Sequence, residues 1–379
     1  MSKVFNWQLG REMDYPREVT SPQKQIGWIF DTNKCIACQT CSIACKMTWT
    51  SGRGQESMFW NNVETKPYGS YPTAWDLEVM KKIGPGSWEE GVYDGQTVFE
   101  AADGRKEKVA GVLPSDEDWA HPNHGEDEIA GGTMPQGMHI NEETHPLWFF
   151  YLPRICNHCS YPACLGSCPR NAIYKRPEDG VVLIDQSRCR GYRECVKACP
   201  YGKTMFRPNH EVSEKCIACY PKLEKGLQTQ CVEQCIGKIR GQGWISNPKE
   251  GVREDHPIDY LVHIKKMALP LYPQFGTQPN VFYIPPTHVP ADYLAQMFGP
   301  GVAHAQEAYR TIKKDEKLAG LIQLFGSTPF ILERFDVRNG IAKGFDKDGT
   351  LVAEVPVTEP TVVRDHYDKK RDVYRLDVT

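Results

Sequence analysis

The residues of this chain best suited to chemistry are its fifteen cysteines, which fall into four runs in a sequence of 379 residues. The first run has the spacing C-x2-C-x2-C-x3-C, and the others vary it. In the third run, Tyr192 stands where a second cysteine is expected. Thiolates at such spacings hold iron–sulfur clusters, whereas an odd number of cysteines suits disulfides poorly. Four clusters with four thiolates each, less the one that Tyr192 replaces, account for every cysteine.

The cysteine runs resemble those of bacterial ferredoxins, in which the fourth cysteine of a run serves the neighbouring cluster. Residues 172–175 and 181–185 predict a hairpin that joins the second run to the third, which leaves the first and fourth runs as the other pair. The resemblance implies three [4Fe-4S] clusters, held by Cys35, Cys38, Cys41 and Cys235, by Cys45, Cys216, Cys219 and Cys231, and by Cys156, Cys159, Cys164 and Cys199. Cys168, Cys189 and Cys195 remain for a fourth cluster, which Tyr192 leaves one ligand short. We expect that cluster to be [3Fe-4S].

Zinc is the alternative metal, and it suits the fourth run best. There, Cys216-x2-Cys219 and Cys231-x3-Cys235 are separated by eleven residues, and structural zinc sites combine two such pairs. In the first run, four cysteines within eleven residues cannot close easily on one tetrahedral ion. Because three runs of the ferredoxin type accompany the fourth, we expect iron throughout.

The alternation of cysteine runs with short predicted strands indicates an α+β fold. We expect two bacterial-ferredoxin-like double-cluster modules with a long insertion and a C-terminal extension. Residues 1–47 and 213–240 would form the two halves of module A, and residues 151–212 would form module B. Residues 48–150 would be the insertion, and residues 241–379 a C-terminal strap, helices and a hairpin. The first 25 residues are predicted to form an extended arm, and residues 257–300 the strap.

The insertion has no cysteine, and tryptophans are spread along it: Trp49, Trp60, Trp75, Trp88 and Trp119. Two interpretations stay open. The segment either packs irregularly on the cluster core or docks a large alpha subunit, because tryptophan is favoured in interface hot spots. His121 and His124 are predicted to lie in a solvated loop, and residues 346–349 (DKDG) to form a hairpin turn and not a calcium loop.

The composition and motifs exclude several functional classes. A net charge of −3 without a long basic stripe predicts no nucleic-acid binding. The longest apolar runs are too short to span a bilayer, so we expect no direct membrane span. The chain has no Walker A loop, no well-placed GxGxxG and no HExxH, so we expect no substrate active site on it. The first residues have neither an apolar signal segment nor paired arginines, which predicts a cytoplasmic protein or one exported folded beside a signal-bearing partner.

The four runs, with an aromatic residue in the third, resemble the electron-transfer beta subunits of the dimethyl sulfoxide reductase superfamily of molybdenum enzymes. An aromatic residue at position 192 is typical of the group with membrane nitrate reductase, ethylbenzene dehydrogenase, chlorate and perchlorate reductase, and nitrite oxidoreductase. Membrane nitrate reductase typically has tryptophan there. Residues 6–13 (NWQLGREM), 60–68 (WNNVETKPY), 189–193 (CRGYR) and 268–277 (ALPLYPQFGT) are most similar to the beta subunit of nitrite oxidoreductase.

This resemblance implies a non-catalytic subunit that relays electrons within an oxidoreductase complex. A catalytic alpha subunit would hold molybdenum with two molybdopterin guanine dinucleotides (bis-MGD), and a gamma subunit would contain haem. The first cluster would face alpha, and the [3Fe-4S] cluster would face the haem. The implied reaction is nitrite oxidation or nitrate reduction; ethylbenzene dehydrogenase and chlorate, perchlorate or selenate reductase are the alternatives. Several alpha subunits of this kind carry a twin-arginine signal, which predicts a periplasmic or equivalent compartment, with the cytoplasmic face of the membrane as the alternative.

Cations near the second and third runs are predicted to tune the cluster potentials, because positive charge favours the reduced cluster. They are Arg170, Lys175, Arg190, Arg193, Lys197 and Lys203. Two other functions compete with electron relay: an oxidoreductase that binds its own small substrate, and a scaffold stapled by zinc.

Overall fold

The computed structural model describes residues 2–67, 69–104, 106–120, 148–358, 363–368 and 372–378, and they form a mixed α and β fold. The helices of this part are α1 (Thr40–Trp49), α2 (Trp75–Ile83), α3 (Ala163–Ser167), α4 (Glu194–Ala198), α5 (Tyr220–Leu223), α6 (Gln230–Glu233), α7 (Pro257–Asp259), α8 (Ala291–Phe298), α9 (Val302–Arg310) and α10 (Glu316–Gln323). The strands are β1 (Ser2–Asn6), β2 (Arg11–Tyr15), β3 (Gln25–Asp31), β4 (Asn62–Lys66), β5 (Trp88–Glu89), β6 (Val92–Tyr93), β7 (Phe150–Arg154), β8 (Ile173–Lys175), β9 (Val182–Ile184), β10 (Thr204–Arg207), β11 (Val212–Lys215), β12 (Arg240–Ile245), β13 (Leu269–Pro270), β14 (Val281–Ile284), β15 (Arg334–Arg338), β16 (Ile341–Phe345), β17 (Leu351–Pro356), β18 (Val363–Asp368) and β19 (Val373–Val378).

A four-stranded sheet in the order β12-β3-β14-β13 lies at the centre of the fold. Strand β3 is apolar along residues 26–30 and is buried on both faces, as is typical of an interior strand. It pairs antiparallel with β12, so that Phe30 lies opposite Arg240. This pairing joins the segment before the first cysteine run to the segment after the fourth.

Residues 257–300 do not form the predicted strap. Their strand β14 is fully buried and pairs in parallel with β3, with Val281 opposite Trp28. The segment was hard to predict because its strands are only two to four residues long and prolines flank them. Proline cannot donate to a sheet, so it marks strand ends there and not an exposed strap.

The predicted N-terminal arm is also wrong, because β1 and β2 form an antiparallel hairpin. Alternate side chains of the two strands are buried, among them Val4 and Met13. Asn6 Nδ2 donates to the carbonyl oxygen of Gly276 over 3.0 Å, and Arg11 forms an ion pair with Glu100 at 2.7 Å. The partners of this hairpin lie far away in sequence, which is why its local pattern did not reveal that it is packed.

Two hairpins frame the third cysteine run, and the first of them is the predicted one. Strand β8 pairs with β9 across a turn that contains Gly180 with φ 72°, and β10 pairs with β11. The short helices α3 and α4 each lie between two cysteines of their run. The hairpin of β10 and β11 extends to Lys215, directly before the fourth run.

The described part of the insertion packs against the rest of the chain. Strand β4 pairs antiparallel with β7, and Arg154 of β7 meets Glu64 of β4 at 3.1 Å in the interior. All five tryptophans are at least half-buried; Trp60 and Trp75 are fully so. They pack within the chain, and docking by this segment stays a prediction. The predicted loop with His121 and His124 lies outside the described residues.

The C-terminal region contains the predicted helices, α9 and α10, followed by the antiparallel sheet β15-β16-β17. The predicted hairpin turn at residues 346–349 joins β16 to β17, where Gly349 N donates to the carbonyl oxygen of Asp346 over 3.1 Å. Strands β18 and β19 form a further antiparallel hairpin.

Candidate metal centres

The four cysteine-rich loops share one backbone turn. In each loop, the residue just before the second ligand position has a positive φ: 52° at Ala37, 41° at His158, 63° at Gly191 and 55° at Ala218. Backbone turns of this kind direct N–H groups toward the inside of a loop and favour an anion there. Tyr192 therefore occupies the second ligand position of a loop whose turn matches those of the three complete runs.

Site 1 consists of Cys35, Cys38, Cys41 and Cys235, which line one small cavity. Cys41 is buried in the first turn of α1, whereas Cys38 is exposed to solvent. The fold thus brings the first three cysteines of the first run together with the last cysteine of the fourth. Strand pairing of β3 with β12 positions them, because the two runs extend from neighbouring strand ends.

Site 2 consists of Cys45, Cys216, Cys219 and Cys231, which line a second small cavity. Cys45 lies one helical turn beyond Cys41 in α1 and belongs to this second cavity. Trp49 Nε1 donates to Cys219 Sγ over 3.2 Å, and Gln230 N donates to the same sulfur over 3.4 Å. One helix therefore supplies thiols to both sites.

Site 3 consists of Cys156, Cys159, Cys164 and Cys199, which line a third small cavity. The backbone N–H of Lys203 donates to Cys199 Sγ over 3.4 Å, and Lys215 Nζ lies 3.6 Å from Cys156 Sγ. Three cysteines of the second run here meet the last cysteine of the third.

Site 4 consists of Cys168, Cys189 and Cys195, which pack in one small apolar cluster. The N–H groups of Ala172 and Ser213 donate to Cys168 Sγ and Cys189 Sγ, each over 3.4 Å. Cys164 of site 3 belongs to the same cluster, so sites 3 and 4 adjoin. The side chain of Tyr192 is 62% exposed and faces solvent.

Burial keeps several of the cysteine thiols in their neutral, protonated form, because it raises their pKa. It raises the pKa of Cys35 and of Cys219 to about 11 and that of Cys195 to about 12. Burial likewise raises the pKa of Cys45 and Cys164 well above the usual value. A bound metal deprotonates such thiols outright, because thiolate is the ligating form. The donor set is soft sulfur, which fits iron–sulfur clusters.

Only part of the predicted set of tuning cations is buried. Arg170, Arg190 and Arg193 are exposed, and Lys197 forms an ion pair with Glu107 at 2.5 Å. Lys175 and Lys203 are buried, and burial lowers the pKa of each to about 7. Lys175 Nζ donates to the carbonyl oxygens of Cys159 and Gly180, each over 3.0 Å.

Sequence reasoning missed two buried cations in direct contact with thiols, Lys215 and Arg240. Burial is the largest single influence on Lys215, and it lowers the pKa of this side chain. The neighbouring Cys156, Cys164 and Cys216 together outweigh burial, so the pKa is raised overall. Burial acts in the same sense on Arg240, and again neighbouring cysteines raise its pKa overall. The position of Lys215 directly before Cys216 was an available signal. No such signal marked Arg240 in the sequence, because only the pairing of β12 with β3 brings this residue close to the first cysteine run.

Comparison with known proteins agrees with this arrangement. A family model for a 4Fe-4S dicluster domain matches residues 147–244. The chain is 42% identical over 320 residues to the beta subunit of dimethylsulfide dehydrogenase from Rhodovulum sulfidophilum, covering 76% of this chain and 90% of that protein. It is 44% identical over 321 residues to the chlorate reductase subunit beta of Ideonella dechloratans (75% and 89%). It is 39% identical over 330 residues to the respiratory nitrate reductase subunit beta of Haloferax mediterranei (77% and 86%).

The chain belongs to the beta-subunit family of the dimethyl sulfoxide reductase superfamily.

The dicluster match in this beta subunit extends from just before β7 into β12 and contains the second, third and fourth cysteine runs. The first run lies outside it, although its thiols share sites 1 and 2 with those of the fourth. Among the described residues of the beta subunit, no helix is long and apolar enough to cross a membrane.

Proposed function

We propose that this beta subunit relays single electrons through three [4Fe-4S] clusters and one [3Fe-4S] cluster. The observation that carries the proposal is the gathering of all fifteen thiols into three quartets and one trio. When bound at such sites, iron–sulfur clusters exchange one electron at a time. The chain itself supplies the thiolates, the N–H donors to sulfur and the buried cations. In site 4, a [3Fe-4S] cluster matches a ligand loop whose second position is Tyr192.

The arrangement of sites supports two ferredoxin-like modules. Module A would combine the first and fourth runs in sites 1 and 2, and module B the second and third runs in sites 3 and 4. Buried cations connect the sites in sequence. The charge of Arg240 interacts with Cys41 of site 1 and Cys231 of site 2. That of Lys203 interacts with Cys199 of site 3 and Cys45 of site 2. The order of relay would therefore be 1, 2, 3, 4.

The surfaces at the two ends differ and support two different partners. Exposed apolar side chains near site 1 are Ile36, Ile43, Met47 and Ile236, with exposures between 54% and 69%. Exposed apolar groups at one place favour a protein interface, and a catalytic alpha subunit with molybdenum bis-MGD would bind there. Site 4 opens near the exposed Tyr192, where a haem-containing gamma subunit would accept or donate electrons.

We infer nitrite oxidation to nitrate, or nitrate reduction, as the reaction of the complex. The four stretches that resemble nitrite oxidoreductase and the nitrate reductase relative support it. The relatives from dimethylsulfide dehydrogenase and chlorate reductase favour the alternative, a related complex that acts on another substrate. Co-export with a twin-arginine alpha subunit would put the complex in the periplasm or an equivalent compartment, with the cytoplasmic face of the membrane as the alternative.

Purification of the native complex under anaerobic conditions tests this function. The expected result is a brown beta subunit that bleaches with dithionite and co-purifies with a molybdenum-containing chain and a haem-containing chain. Nitrite added to the complex should reduce the clusters, and nitrate added to the reduced complex should oxidise them. A colourless preparation rich in zinc, or nitrite turnover by the isolated beta subunit, would contradict the proposal.

A further inference from the structure

Arg240 is a buried cation held directly against the thiols of site 1. The side chain is 1% exposed. Its Nη2 donates to Cys41 Sγ over 2.9 Å, and its Nη1 donates to Asn61 Oδ1 over 3.1 Å. The guanidinium also lies 4.4 Å from the centre of the Phe30 ring, the residue opposite it in the sheet. Three contacts on different elements therefore fix the position of this charge.

With clusters bound at sites 1 and 2, the counter-charge for Arg240 would be thiolate and not carboxylate. Among the described residues, no carboxylate forms an ion pair with Arg240 within 4.0 Å, and its two Nη atoms bond to Cys41 Sγ and Asn61 Oδ1. The cysteines that interact with it electrostatically are Cys41, Cys231, Cys235 and Cys35. A buried charge without an opposite charge is strongly disfavoured. Negative charge on sites 1 and 2 is therefore what stabilises the buried guanidinium, and the stabilisation is mutual.

We propose that Arg240 is a positioning residue that favours the electron-rich state of sites 1 and 2. The inference rests on the proposed function, since it assumes that both sites hold iron–sulfur clusters. An added electron makes a site more negative, so a cation fixed 2.9 Å from a ligand sulfur stabilises the reduced form. The effect is largest at site 1, where Arg240 contacts the sulfur directly, and smaller at site 2.

The exposed cations near the thiols stabilise the reduced form of a site much less than Arg240 does. Water and salt screen a charge at the surface, and its effect decreases within about 10 Å in 0.1 M salt. Lys238 is an exposed cation in the same chain segment, two residues before Arg240, and its backbone N–H bonds to the carbonyl oxygen of Cys235. It therefore serves as the matched control for removal of one positive charge near site 1.

The test is a reductive titration of the intact complex, monitored by electron paramagnetic resonance (EPR), with three variants. In Arg240→Gln, we expect the reduction equilibrium of site 1 to shift about tenfold toward the oxidised form, about 59 mV for a one-electron couple. Arg240→Lys keeps the charge and should retain most of the wild-type midpoint potential. Lys238→Gln should leave all midpoint potentials unchanged.

Asn61→Asp provides a second route that leaves Arg240 in place. The new carboxylate would accept the same hydrogen bond at 3.1 Å and compete with the thiolates for the guanidinium. We expect the midpoint potentials of sites 1 and 2 to decrease while site 4 stays unchanged. Because Asn61 also lines the cavity of site 2, the new carboxylate lowers the potential of that site by its own charge, so the decisive readout is site 1. An unchanged midpoint potential at site 1 would overturn the role of Arg240 even if Arg240→Gln does not assemble.

Two outcomes separate the possible failures. Normal iron content with unchanged midpoint potentials in Asn61→Asp, or in an assembled Arg240→Gln, would overturn the role of Arg240 and leave the electron relay intact. A wild-type complex without iron or acid-labile sulfide would overturn the relay itself.

Discussion

Sites 3 and 4 are built on loops with the same backbone turn, yet their surroundings are opposite. The residue after the turn is the partly buried Cys159 in site 3 and the exposed Tyr192 in site 4. Lys215 is buried with its Nζ 3.6 Å from Cys156 Sγ of site 3. Arg190 and Arg193 beside site 4 are exposed, although the Arg193 guanidinium lies 4.0 Å from the centre of the Phe206 ring. On the proposed function, the backbone would prepare a loop for a cluster, while the second-position side chain and the buried charges would set which cluster forms and how readily it is reduced.

Substitution of one ligand cysteine should have the largest effect, because it should remove a whole cluster. Cys199 belongs to the third cysteine run but lines the cavity of site 3. We expect Cys199→Ser to damage the cluster of site 3 and to spare that of site 4. The matched variant, Cys195→Ser, should do the reverse. EPR spectra and iron content distinguish the two, and loss of the site 4 signal alone in Cys199→Ser would refute the proposed sharing.

A thiol at position 192 should make site 4 resemble site 3. Tyr192 is exposed and follows the left-handed Gly191, so the loop can accept cysteine without repacking of the interior. We expect Tyr192→Cys to convert the [3Fe-4S] cluster toward [4Fe-4S] and to lower its potential. The EPR signal of the oxidised three-iron cluster should disappear in this variant and persist in Tyr192→Phe. Persistence in both variants would show that position 192 is not the missing ligand.

Loss of a buried cation should change site 3 and leave site 4 unaffected. Lys215 Nζ donates to Cys216 O over 2.9 Å and lies 3.6 Å from Cys156 Sγ. In Lys215→Gln, we expect a lower midpoint potential at site 3 and a lower melting temperature. Unpaired buried carbonyl groups cost about 1–3 kcal/mol each. Lys225→Gln, a charge change at an exposed position, should affect neither quantity.

The smallest effect should follow removal of an exposed cation beside site 4. Arg190 is exposed, and its Nη1 donates to the backbone oxygens of Ser187 and Cys189, each over 2.8 Å. Because solvent screens such a charge, we expect Arg190→Gln to shift the midpoint of site 4 by clearly less than Lys215→Gln shifts that of site 3. An equal or larger shift would contradict the distinction between buried and exposed cations.

The ligand loops and the hairpin between the second and third runs were predictable, because loop and turn are local in sequence. Long-range pairing was not predictable in the same way. The N-terminal hairpin and β14 are short and irregular in pattern, and their partners lie far away in sequence. For the same reason, the charge near Cys41 was missed, since Arg240 reaches it only through the pairing of β12 with β3. Proximity in sequence instead favoured Arg190 and Arg193, which face solvent.

Quantitative EPR and Mössbauer spectroscopy of the anaerobically purified complex test the central claim most directly. Thiols grouped as three quartets and one trio predict three [4Fe-4S] clusters and one [3Fe-4S] cluster per beta subunit, with the three-iron signal visible in the oxidised state. Four [4Fe-4S] clusters, or a beta subunit with little iron and acid-labile sulfide, would contradict the account.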